Sequence, residues 1–358
     1  MSQRILLAGG GTGGHVYPAL AMGDALKARG HDVHYYGDAA RLEGRVAAER
    51  GYAFRGVPAA QFPRAGVVSK LKFAWALFTS TMTARRMLKE DRVRLVLGVG
   101  GYVMAPTVLA AWSLGIPTAI HESNVAPGMA NKLCARVAKL VLLTYAETAA
   151  KLPGRAEKIT VGCPVNPKVL TGDGARYGLR PGRNVVLIVG GSLGAATING
   201  LALALARDPE RAFDILHVCG PRYYDEVKAA YGDLPDGVVL VGYEDRMGDA
   251  YAAAALVIAR AGSSTLAELC AAAKPSLLIP SPNVTDNHQE ANARGMERAG
   301  AALVVVERGF DAGTVSDVVR GLVSDGPRLR RMAAAALGLA QPLVAERVAD
   351  LLEVRFPG

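Results

Sequence analysis

Residues 5–15 of this chain are Ile-Leu-Leu-Ala-Gly-Gly-Gly-Thr-Gly-Gly-His, a short apolar run followed by a glycine-rich turn. The run is typical of a buried strand, and the turn is typical of the start of a helix. The same order returns at residues 185–194, where Val-Val-Leu-Ile-Val precedes Gly-Gly-Ser-Leu-Gly. Such turns bring backbone N–H groups and a helix N-terminus close to a phosphate. Two of them, half a chain apart, predict two nucleotide-binding lobes that face each other across a cleft.

Strand-like and helix-like segments alternate along the chain, which favours mostly parallel α/β sheets in both lobes. Helices are expected at residues 18–27 and, near the C-terminus, at 341–355. Strands are expected at residues 32–36, 94–97, 117–120 and 140–143 in the first lobe, and at 185–189, 215–218, 238–241, 256–259, 276–279 and 302–305 in the second.

The length of 358 residues favours two domains. The segment 161–167 contains two prolines and has no clear period, so we place the linker there. We expect an N-terminal domain at residues 1–163, a C-terminal domain at 164–340, and a helix within 341–358 that packs back on the first domain.

Charge is distributed unevenly between the two halves. Residues 1–163 hold 21 Lys and Arg against 10 Asp and Glu, a net charge of +11, whereas residues 164–358 hold 20 against 22. A basic lobe favours an anionic partner such as a membrane surface, a nucleic acid or a phosphorylated substrate, with an ordinary solvated surface as the alternative. The four cysteines form no CxxC pair, which predicts reduced thiols rather than a metal site.

The chain has no apolar run near the ~20 residues that span a bilayer, and no secretory signal follows its first residues, so we expect it in the cytoplasm. One helical segment, residues 69–91, differs from the others because cations flank its apolar face. Such a helix can lie on anionic lipids with its apolar side down, or it can pack against its own sheet. The apolar residues at helical spacing are Leu71, Trp75, Phe78 and Met82.

His15 follows the first glycine turn and is a candidate proton acceptor, because an unperturbed imidazole has a pKa of about 6.5. The same turn also satisfies the G-x-G-x-x-G pattern of dinucleotide-binding enzymes, with Asp38 after the next strand. The extra glycines, His15 itself and a further glycine turn at residues 98–101 argue against that alternative.

In the second lobe, three hydroxyl residues follow a strand and open a helix, where they can bind a diphosphate: Ser263, Ser264 and Thr265. Glu268 can accept two hydrogen bonds from a ribose diol, although Thr265 and Glu268 also fit a capping box. Gln289 and Asn292 share a helix face, and their amides can recognise sugar hydroxyls. There is no Asp-x-Asp pair, so helix N-termini and hydroxyls are expected to stabilise a diphosphate leaving group.

Together these motifs resemble the MurG family of bacterial peptidoglycan glycosyltransferases. The resemblance covers nearly the whole chain and rests on the segments GGGTGGHVYPALA from residue 9, GVGGYV from 98, HESN at 121–124, GGSLGAATIN from 190, RAGSSTLAEL from 260 and DNHQEANA from 286. Each segment is loose alone, but their order along the chain is specific. The resemblance implies an α/β chain of GT-B architecture, with two Rossmann-like lobes facing a deep cleft.

The resemblance also implies an inverting hexosyltransferase that uses neither a metal nor a cofactor. The implied reaction moves N-acetylglucosamine from UDP-N-acetylglucosamine to the C4 hydroxyl of undecaprenyl-diphosphate-linked N-acetylmuramyl-pentapeptide (lipid I), giving lipid II in peptidoglycan synthesis. Peripheral attachment to the cytoplasmic face of the cell membrane is implied as well, in agreement with the basic lobe. No nucleic-acid partner is expected, and the oligomeric state stays open.

By the same resemblance, the N-terminal lobe binds the acceptor and the C-terminal lobe binds the donor. His15 and Glu122 are the alternatives for the base that takes the hydroxyl proton, and His15 is preferred. The implied acceptor residues are Thr12, Gly13, Gly14, Tyr102, His121, Asn124 and Asn131. The implied donor residues are Ser192, Asn199, Arg260, Ser263, Ser264, Thr265, Glu268, Gln289 and Asn292.

The sequence departs from the family pattern in an extra leading glycine in the first loop and at two further positions. Asn166 stands where an arginine is usual, and Leu193 stands where a glutamine is usual. The rival interpretations are a glycosyltransferase with another acceptor, an NAD(P)-dependent oxidoreductase, and a nucleotide-binding adaptor without catalysis.

Overall fold

The computed structural model of this protein describes residues 2–59, 66–284, 287–309 and 311–358. Asp286, which opens the last motif quoted above, lies outside the described residues. The chain separates into two compact units. The N-terminal unit runs to Val165 and also contains Leu343–Gly358, and the C-terminal unit is Asn166–Pro342.

Strands and helices alternate in the N-terminal unit. Its strands are β1 (Arg4–Ala8), β2 (Asp32–Gly37), β3 (Ala53–Gly56), β4 (Leu95–Gly98), β5 (Thr118–Glu122), β6 (Leu140–Leu143) and β7 (Glu157–Thr160). Its helices before the linker are α1 (Gly13–Ala28), α2 (Leu42–Glu49), α3 (Val67–Glu90), α4 (Met104–Ser113) and α5 (Met129–Cys134), with a 3-10 helix at Ala146–Lys151.

Within the described residues, these strands form one parallel sheet in the order β3-β2-β1-β4-β5-β6-β7. Successive residues of a strand point to opposite faces. Accordingly Ile5 and Leu7 pack in one core with α1, whereas Leu6 and Ala8 pack in a second core with α4. Helices therefore cover both faces, which explains why the central strands are continuously apolar.

The C-terminal unit repeats this alternation. Its strands are β8 (Val185–Val189), β9 (Asp214–Val218), β10 (Val238–Val241), β11 (Leu256–Ala259), β12 (Ser276–Leu278) and β13 (Ala302–Val304). Its helices are α6 (Ala196–Arg207), α7 (Tyr224–Tyr231), α8 (Met247–Ala253), α9 (Ser263–Ala271), α10 (His288–Arg298), α11 (Ala312–Ser324) and α12 (Gly326–Gly338), with 3-10 helices at Pro167–Leu170, Gly174–Tyr177 and Pro221–Tyr223. The strands in the described part of the unit are parallel in the order β10-β9-β8-β11-β12-β13.

The last helix, α13 (Val344–Arg355), belongs to the N-terminal unit, where it packs on α1. Val348 and Leu352 are buried in the same core as α1. Arg29 donates to Asp350 at 2.5 Å and to Glu353 at 2.9 Å. Exposed ion pairs of this kind contribute at most about 1 kcal/mol, so the apolar burial holds α13 in place.

Two local features differ from the expectation. Helix α1 begins at Gly13 rather than at Pro18, and Pro18 lies inside it, where the proline ring removes one hydrogen bond. Strands β3 (Ala-Phe-Arg-Gly) and β7 (Glu-Lys-Ile-Thr) were not predicted. Among the strands that the structure describes, both lie at an edge of the sheet and pair with one neighbour, so they need no continuous apolar run.

Candidate active site

The order of the strands locates the binding edge of each sheet. The order reverses between β1 and β4 in the N-terminal unit and between β8 and β11 in the C-terminal unit. Loops that leave the carboxyl ends of strands on either side of such a reversal diverge and leave a crevice for a ligand. The loops after these strands are residues 9–12, 99–103, 190–195 and 260–262. The glycine-rich motifs therefore lie at the switch points of both sheets.

The two glycine loops of the N-terminal unit contact each other through their backbones. The N–H of Gly10 donates to the carbonyl oxygen of Gly100 at 3.2 Å. A Cβ on Gly9 would lie 2.5 Å from that oxygen, and a Cβ on Gly101 would overlap the carbonyl oxygen of Gly10. Only glycine allows so close an approach. The turn at residues 98–101, which the sequence presented as a separate feature, is therefore part of the same site as the first turn.

His15 lies in the first turn of α1, and its ring packs over Gly100. Its Nδ1 is 3.2 Å from the carbonyl oxygen of Gly10 and 3.3 Å from Oγ1 of Thr12. Because a carbonyl oxygen can only accept, we assign the proton of the neutral ring to Nδ1 and the lone pair to Nε2. In this tautomer Nε2 is the nitrogen that can take a proton.

A buried carboxylate holds the first glycine loop. Glu43, in α2, is fully buried, and both of its oxygens lie 3.1 Å from the N–H of Gly11, while Oε1 also accepts from the N–H of Asp38 at 3.2 Å. A Cβ on Gly10 would overlap the Glu43 carboxylate. In a dinucleotide-binding loop, such N–H groups face the pyrophosphate, whereas that of Gly11 is already paired with an anion. Sequence reasoning missed Glu43, since an acidic residue in the first turn of a helix is common.

The other acceptor candidates of this loop open α1: Thr12, Gly13 and Gly14. Tyr102 packs beside the loop, with the guanidinium of Arg41 5.4 Å from its ring centre and its hydroxyl 3.5 Å from Oδ2 of Asp38. Burial raises the pKa of the Tyr102 phenol, which therefore stays protonated as a donor.

Glu122 ends β5 and is the centre of a hydrogen-bond network. Its Oε1 accepts from the backbone N–H and the Nδ2 of Asn124 at 2.9 and 3.3 Å. Its Oε2 accepts from the N–H of Gly128 at 3.0 Å and from Nδ2 of Asn131 at 2.6 Å. Burial raises the pKa of Glu122, and these four donors oppose that rise. A carboxylate offers about four acceptor positions, so this network uses them all.

His121, the residue before Glu122, is also buried. Its Nε2 donates to the carbonyl oxygen of Gly162 at 2.9 Å, and its Nδ1 accepts from the Ser123 hydroxyl at 3.3 Å. Burial lowers the pKa of His121 to about 4, so the ring is neutral at physiological pH. Asn131 also donates to the carbonyl oxygen of His121 at 3.2 Å. The acceptor roles of His121 and Asn131 stay predictions, and in the structure both side chains bond to their own chain.

In the C-terminal unit, Asn199 is buried in α6 and ties that helix to β9. Its Nδ2 donates to the carbonyl oxygen of Cys219 at 3.1 Å, and its Oδ1 accepts from Nε2 of His217 at 3.0 Å. A Cβ on Gly194 would overlap the same Cys219 oxygen. Asn199 therefore fixes the strand on which the glycine loop after β8 rests, and its contact with a donor stays a prediction.

Arg260 follows β11, and its side chain is largely buried. Its guanidinium donates to Glu307 at 2.6 Å and to the carbonyl oxygen of Ile279 at 3.0 Å. Glu307 also accepts from the hydroxyl of Thr197 in α6. Burial alone would raise the pKa of Glu307, but the hydrogen bonds from Arg260 and Thr197 lower it below the usual value. The ion pair thus links the loop after β11 to the segment after β13, and Thr197 connects that segment to α6. No sequence motif pointed to Glu307.

Helix α9 begins with the three hydroxyl residues Ser263, Ser264 and Thr265. Gly262 is its N-cap and provides no side chain, so Thr265 is the third helical residue and the capping box is wrong. Glu268 instead accepts from the hydroxyl of the buried Tyr251 at 2.7 Å. Burial raises the pKa of Glu268 to about 7. The sequence gave no signal for Tyr251, which lies 17 residues earlier in α8.

The predicted amide pair lies in the first turns of α10, and each amide has one group bonded to a neighbouring loop. Oε1 of Gln289 accepts from the N–H of Ser281 at 2.9 Å. Nδ2 of Asn292 donates to the carbonyl oxygen of Ala261 at 3.4 Å. These contacts orient the two amides at the carboxyl ends of β11 and β12.

The two departures from the family pattern have different local roles. Asn166 caps the 3-10 helix Pro167–Leu170 by accepting from the N–H of Lys168 at 3.0 Å. Leu193 is 64% exposed in the loop after β8, next to the candidate Ser192.

Among the described residues, no group of three or more His, Cys, Asp or Glu side chains is arranged to hold a metal ion. The helices in the described ranges also include none with the length and hydropathy required to cross a bilayer.

Two family models match the chain, one to each unit. The glycosyltransferase family 28 N-terminal domain matches residues 5–143, and the glycosyltransferase family 28 C-terminal domain matches residues 185–348. The α/β fold class predicted from the resemblance, GT-B with two Rossmann-like lobes, is confirmed by these matches and by the two parallel sheets. The dinucleotide-dependent oxidoreductase is therefore wrong as an interpretation of the first loop.

The chain also matches individual proteins over nearly its whole length. It is 40% identical over 355 residues to the UDP-N-acetylglucosamine–N-acetylmuramyl-(pentapeptide) pyrophosphoryl-undecaprenol N-acetylglucosamine transferase of Acidithiobacillus ferrooxidans, covering 98% of this chain and 97% of that protein. It is 36% identical to the transferase of the same name from Halothermothrix orenii, covering 98% of both chains. The crystal structure of MurG from Acinetobacter baumannii superposes with a TM-score of 0.77 at 29% identity, covering 98% of this chain and 99% of that one. The chain therefore belongs to glycosyltransferase family 28 and, within it, to the MurG family.

Proposed function

We propose that this chain transfers N-acetylglucosamine from UDP-N-acetylglucosamine to the C4 hydroxyl of undecaprenyl-diphosphate-linked N-acetylmuramyl-pentapeptide. The observation that carries the proposal is the nearly full-length match to transferases whose names state these two substrates. In the reaction, the hydroxyl oxygen bonds to the anomeric carbon, the bond from that carbon to UDP breaks, and the hydroxyl proton passes to a base. A single displacement of this kind inverts the anomeric carbon.

The direct test is transfer of labelled sugar from UDP-N-acetylglucosamine to a short-chain lipid I analogue. We expect one UDP and one labelled disaccharide-lipid for each turnover. UDP-N-acetylgalactosamine, the C4 epimer, is the matched control donor and should react much more slowly. Release of UDP without label in the lipid, or transfer to unrelated alcohols alone, would contradict the proposal.

His15 is the base in this mechanism. The contact from Nδ1 to the Gly10 carbonyl at 3.2 Å supports the role, because it leaves the basic lone pair on Nε2. Its position at the switch point of the N-terminal sheet is where a ligand of that sheet is expected.

Glu122 supports the acceptor loop rather than taking the proton. Four donors already occupy the acceptor positions of its carboxylate. An incoming hydroxyl would have to displace one of them, which costs about 1–3 kcal/mol for a charged hydrogen bond. The geometry therefore favours His15 over Glu122.

The donor diphosphate binds at the start of α9. Ser263, Ser264 and Thr265 form the first turn of this helix, where N–H groups and the helix dipole favour an anion. Ser192 lies in the loop after β8, across the switch point and at the same edge of the sheet. These groups stabilise the charge that develops on UDP as it leaves.

Gln289 and Asn292 recognise the sugar. Gln289 accepts from the backbone N–H of Ser281 and Asn292 donates to the carbonyl oxygen of Ala261, so both amides are held at the edge of the sheet where the sugar is expected. A sugar hydroxyl both donates and accepts, so one donor and one acceptor can fix its orientation. This arrangement discriminates an equatorial from an axial C4 hydroxyl.

Glu268 binds the ribose of the donor as a carboxylate, while the Tyr251 hydroxyl holds its Oε2. Because burial raises the pKa of Glu268 to about 7, the ionised fraction falls as the pH is lowered from 8 to 6. We therefore expect the Kd for UDP-N-acetylglucosamine, measured by calorimetry, to rise about tenfold over this interval.

Glu268→Gln is the matched control, since it keeps the shape and removes the titration. Its Kd should be high at pH 8 and nearly independent of pH, with the melting temperature close to that of the parent. A Glu268→Gln protein that keeps the pH dependence would assign the titration to another group.

The chain attaches peripherally to an anionic membrane face through α3. Along the first half of α3 an apolar row is exposed, with Trp75 at 69% and Phe78 at 55% exposure and their rings 6.0 Å apart. The alternative expected above, packing of this row against its own sheet, is therefore wrong. Lys70 and Lys72 flank the row and are exposed as well, so cations accompany the apolar surface.

A double variant, Trp75→Ala with Phe78→Ala, tests this attachment. Burial of one large aromatic side chain contributes about 1.5–3 kcal/mol, so we expect at least tenfold weaker binding to anionic vesicles in a sedimentation assay. Leu337→Ala removes an exposed leucine from α12 and should bind like the parent. Binding of the parent should also weaken as salt is raised. Equal binding to neutral and anionic vesicles would remove the electrostatic part of the proposal.

A further inference from the structure

Glu43, one peptide group and His15 form a continuous line of hydrogen bonds. The Glu43 carboxylate accepts from the N–H of Gly11 at 3.1 Å through both oxygens. That N–H belongs to the same peptide group as the carbonyl of Gly10. The Gly10 carbonyl oxygen in turn is 3.2 Å from Nδ1 of His15. The order along the line is carboxylate, peptide N–H, peptide carbonyl, imidazole N–H.

The hydrogen bond at the Glu43 end of this line influences which nitrogen of His15 carries the proton. An N–H that donates to a carboxylate makes its own carbonyl oxygen a stronger acceptor, since chains of hydrogen bonds polarise one another. The strengthened carbonyl holds the proton of the neutral ring on Nδ1 and the lone pair on Nε2. If the proton were on Nε2 instead, the lone pair of Nδ1 would face the carbonyl oxygen at 3.2 Å and repel it.

Charge also favours this arrangement. His15 lies in the first turn of the 16-residue helix α1, whose positive end disfavours an imidazolium. When His15 takes the hydroxyl proton it becomes an imidazolium, so a nearby fixed negative charge stabilises the transition state. Glu43 is fully buried, and the hydrogen bonds described for it all come from backbone N–H groups. The charge of a buried carboxylate acts strongly on groups close to it, because the protein interior has a low dielectric.

We propose that Glu43 is a positioning residue for the base His15, acting through the Gly10–Gly11 peptide group as an aspartate acts directly on the histidine of a catalytic triad. The inference rests on the proposed function, in which His15 takes the proton of the attacking hydroxyl. Glu43 touches neither substrate and transfers no proton; it sets the tautomer and orientation of the imidazole and balances the charge that the imidazole gains.

Two glycines, Gly10 in this loop and Gly37 at the end of β2, are explained by the same line of hydrogen bonds. A Cβ on Gly10 would overlap the Glu43 carboxylate, and a Cβ on Gly37 would lie 2.6 Å from its Cγ. The carboxylate therefore needs glycine at both positions to reach the peptide. A loop that only had to turn would not require glycine where a Glu side chain passes.

A kinetic double-mutant cycle with Glu43→Gln and His15→Ala tests the proposal. Glu43→Gln keeps the shape and one acceptor oxygen but removes the charge. With the parent as reference, we expect kcat to fall about 10- to 100-fold, the range seen for residues that support a ligating or reacting side chain, with KM for donor and acceptor within about threefold. In the His15→Ala background, the same change should alter kcat by less than about threefold, because the residue through which it acts is gone.

The control is Asp24→Asn, which neutralises another carboxylate of the same unit; Asp24 lies in α1 and bonds to Tyr52 and Arg50. It should leave kcat near the parent value. An equal fold-loss from Glu43→Gln in both backgrounds would mean that Glu43 only supports the fold, and an unchanged kcat in the parent background would likewise overturn the proposal.

Nitrogen NMR of protein labelled with 15N-histidine gives a readout without turnover. The chain has 6 histidines, so the His15 signals can be assigned from their loss in His15→Ala. We expect neutral His15 protonated on Nδ1 in the parent and a mixture of tautomers in Glu43→Gln. The same single tautomer in both proteins would overturn the proposal. A failure of the proposed function would give a different result from a failure of the Glu43 proposal. The parent would then transfer no sugar, or His15→Ala would remain active, regardless of the effect of Glu43→Gln.

Discussion

His15→Ala is expected to lower kcat about 100- to 10,000-fold with donor and acceptor both saturating, the usual cost of losing a general base. The loss should appear in kcat and not in the donor KM, because His15 lies in the N-terminal unit and the residues proposed to hold UDP lie in the C-terminal unit. The measurement is steady-state transfer of labelled N-acetylglucosamine to the soluble lipid I analogue.

His34→Ala is the matched control for this substitution. His34 lies in β2, where it pairs with Asp32 at 3.1 Å, outside both glycine loops. Its replacement should leave turnover near that of the parent. A His15→Ala protein within about threefold of parent turnover would exclude His15 as the base, because general-base catalysis is larger than that. Glu122 would then be tested next, despite the four donors on its carboxylate.

Gly101→Ala is expected to reduce both stability and activity strongly. Gly101 has φ of 81°, a conformation that costs an alanine about 1–2 kcal/mol. The new methyl group would also overlap the carbonyl oxygen of Gly10, which is backbone and cannot rotate away. The two glycine loops would have to separate, so we expect a loss of more than about 3 kcal/mol in the free energy of unfolding, measured by urea denaturation.

Gly30→Ala separates the clash from the backbone strain. Gly30 has φ of 86°, nearly the same as Gly101, but apart from its chain neighbours no atom in the described part of the chain lies within 4 Å of the position its Cβ would take. It should lose only about 1–2 kcal/mol from the unfavourable φ and keep full activity. Equal losses of unfolding free energy in the two variants would show that the close contact between the two glycine loops contributes nothing to stability.

Most strands and helices and the two glycine-rich turns could be predicted, because the signals for each come from residues close together in the sequence. Runs such as Val185–Val189 are apolar throughout, since helices cover both faces of a parallel sheet. Strands β3 and β7 were not predicted because they lie at the edges of the described sheet, where a strand need not be apolar throughout. The apolar row on α3 has the right period for either a membrane or a core, and only the packing of the helix revealed that the row is exposed.

Candidate site residues could be chosen from the sequence where they lie in a motif, as His15 and Glu268 do, and their roles stay predictions. Their partners could not be chosen in this way, because Glu43 and Tyr251 lie 32 and 17 residues away from the groups they contact. Contacts over such separations form only when strands pair and bring their carboxyl ends to one edge.

The amino-acid order by itself determined the class of this protein: two α/β units, glycine turns after the first strand of each, and the side chains that suit a sugar nucleotide. Periodicity and turn chemistry act over a few residues, so they survive without any knowledge of the fold. Only the tertiary structure decided how those side chains are held. The tertiary structure brings the loops at residues 9–12 and 99–103 into contact and surrounds the Glu122 carboxylate with hydrogen-bond donors. It also places Glu43 and His15 on opposite sides of one peptide group, to which both are hydrogen-bonded. These outcomes depend on distances between segments remote in sequence, which are set by the register and order of the strands.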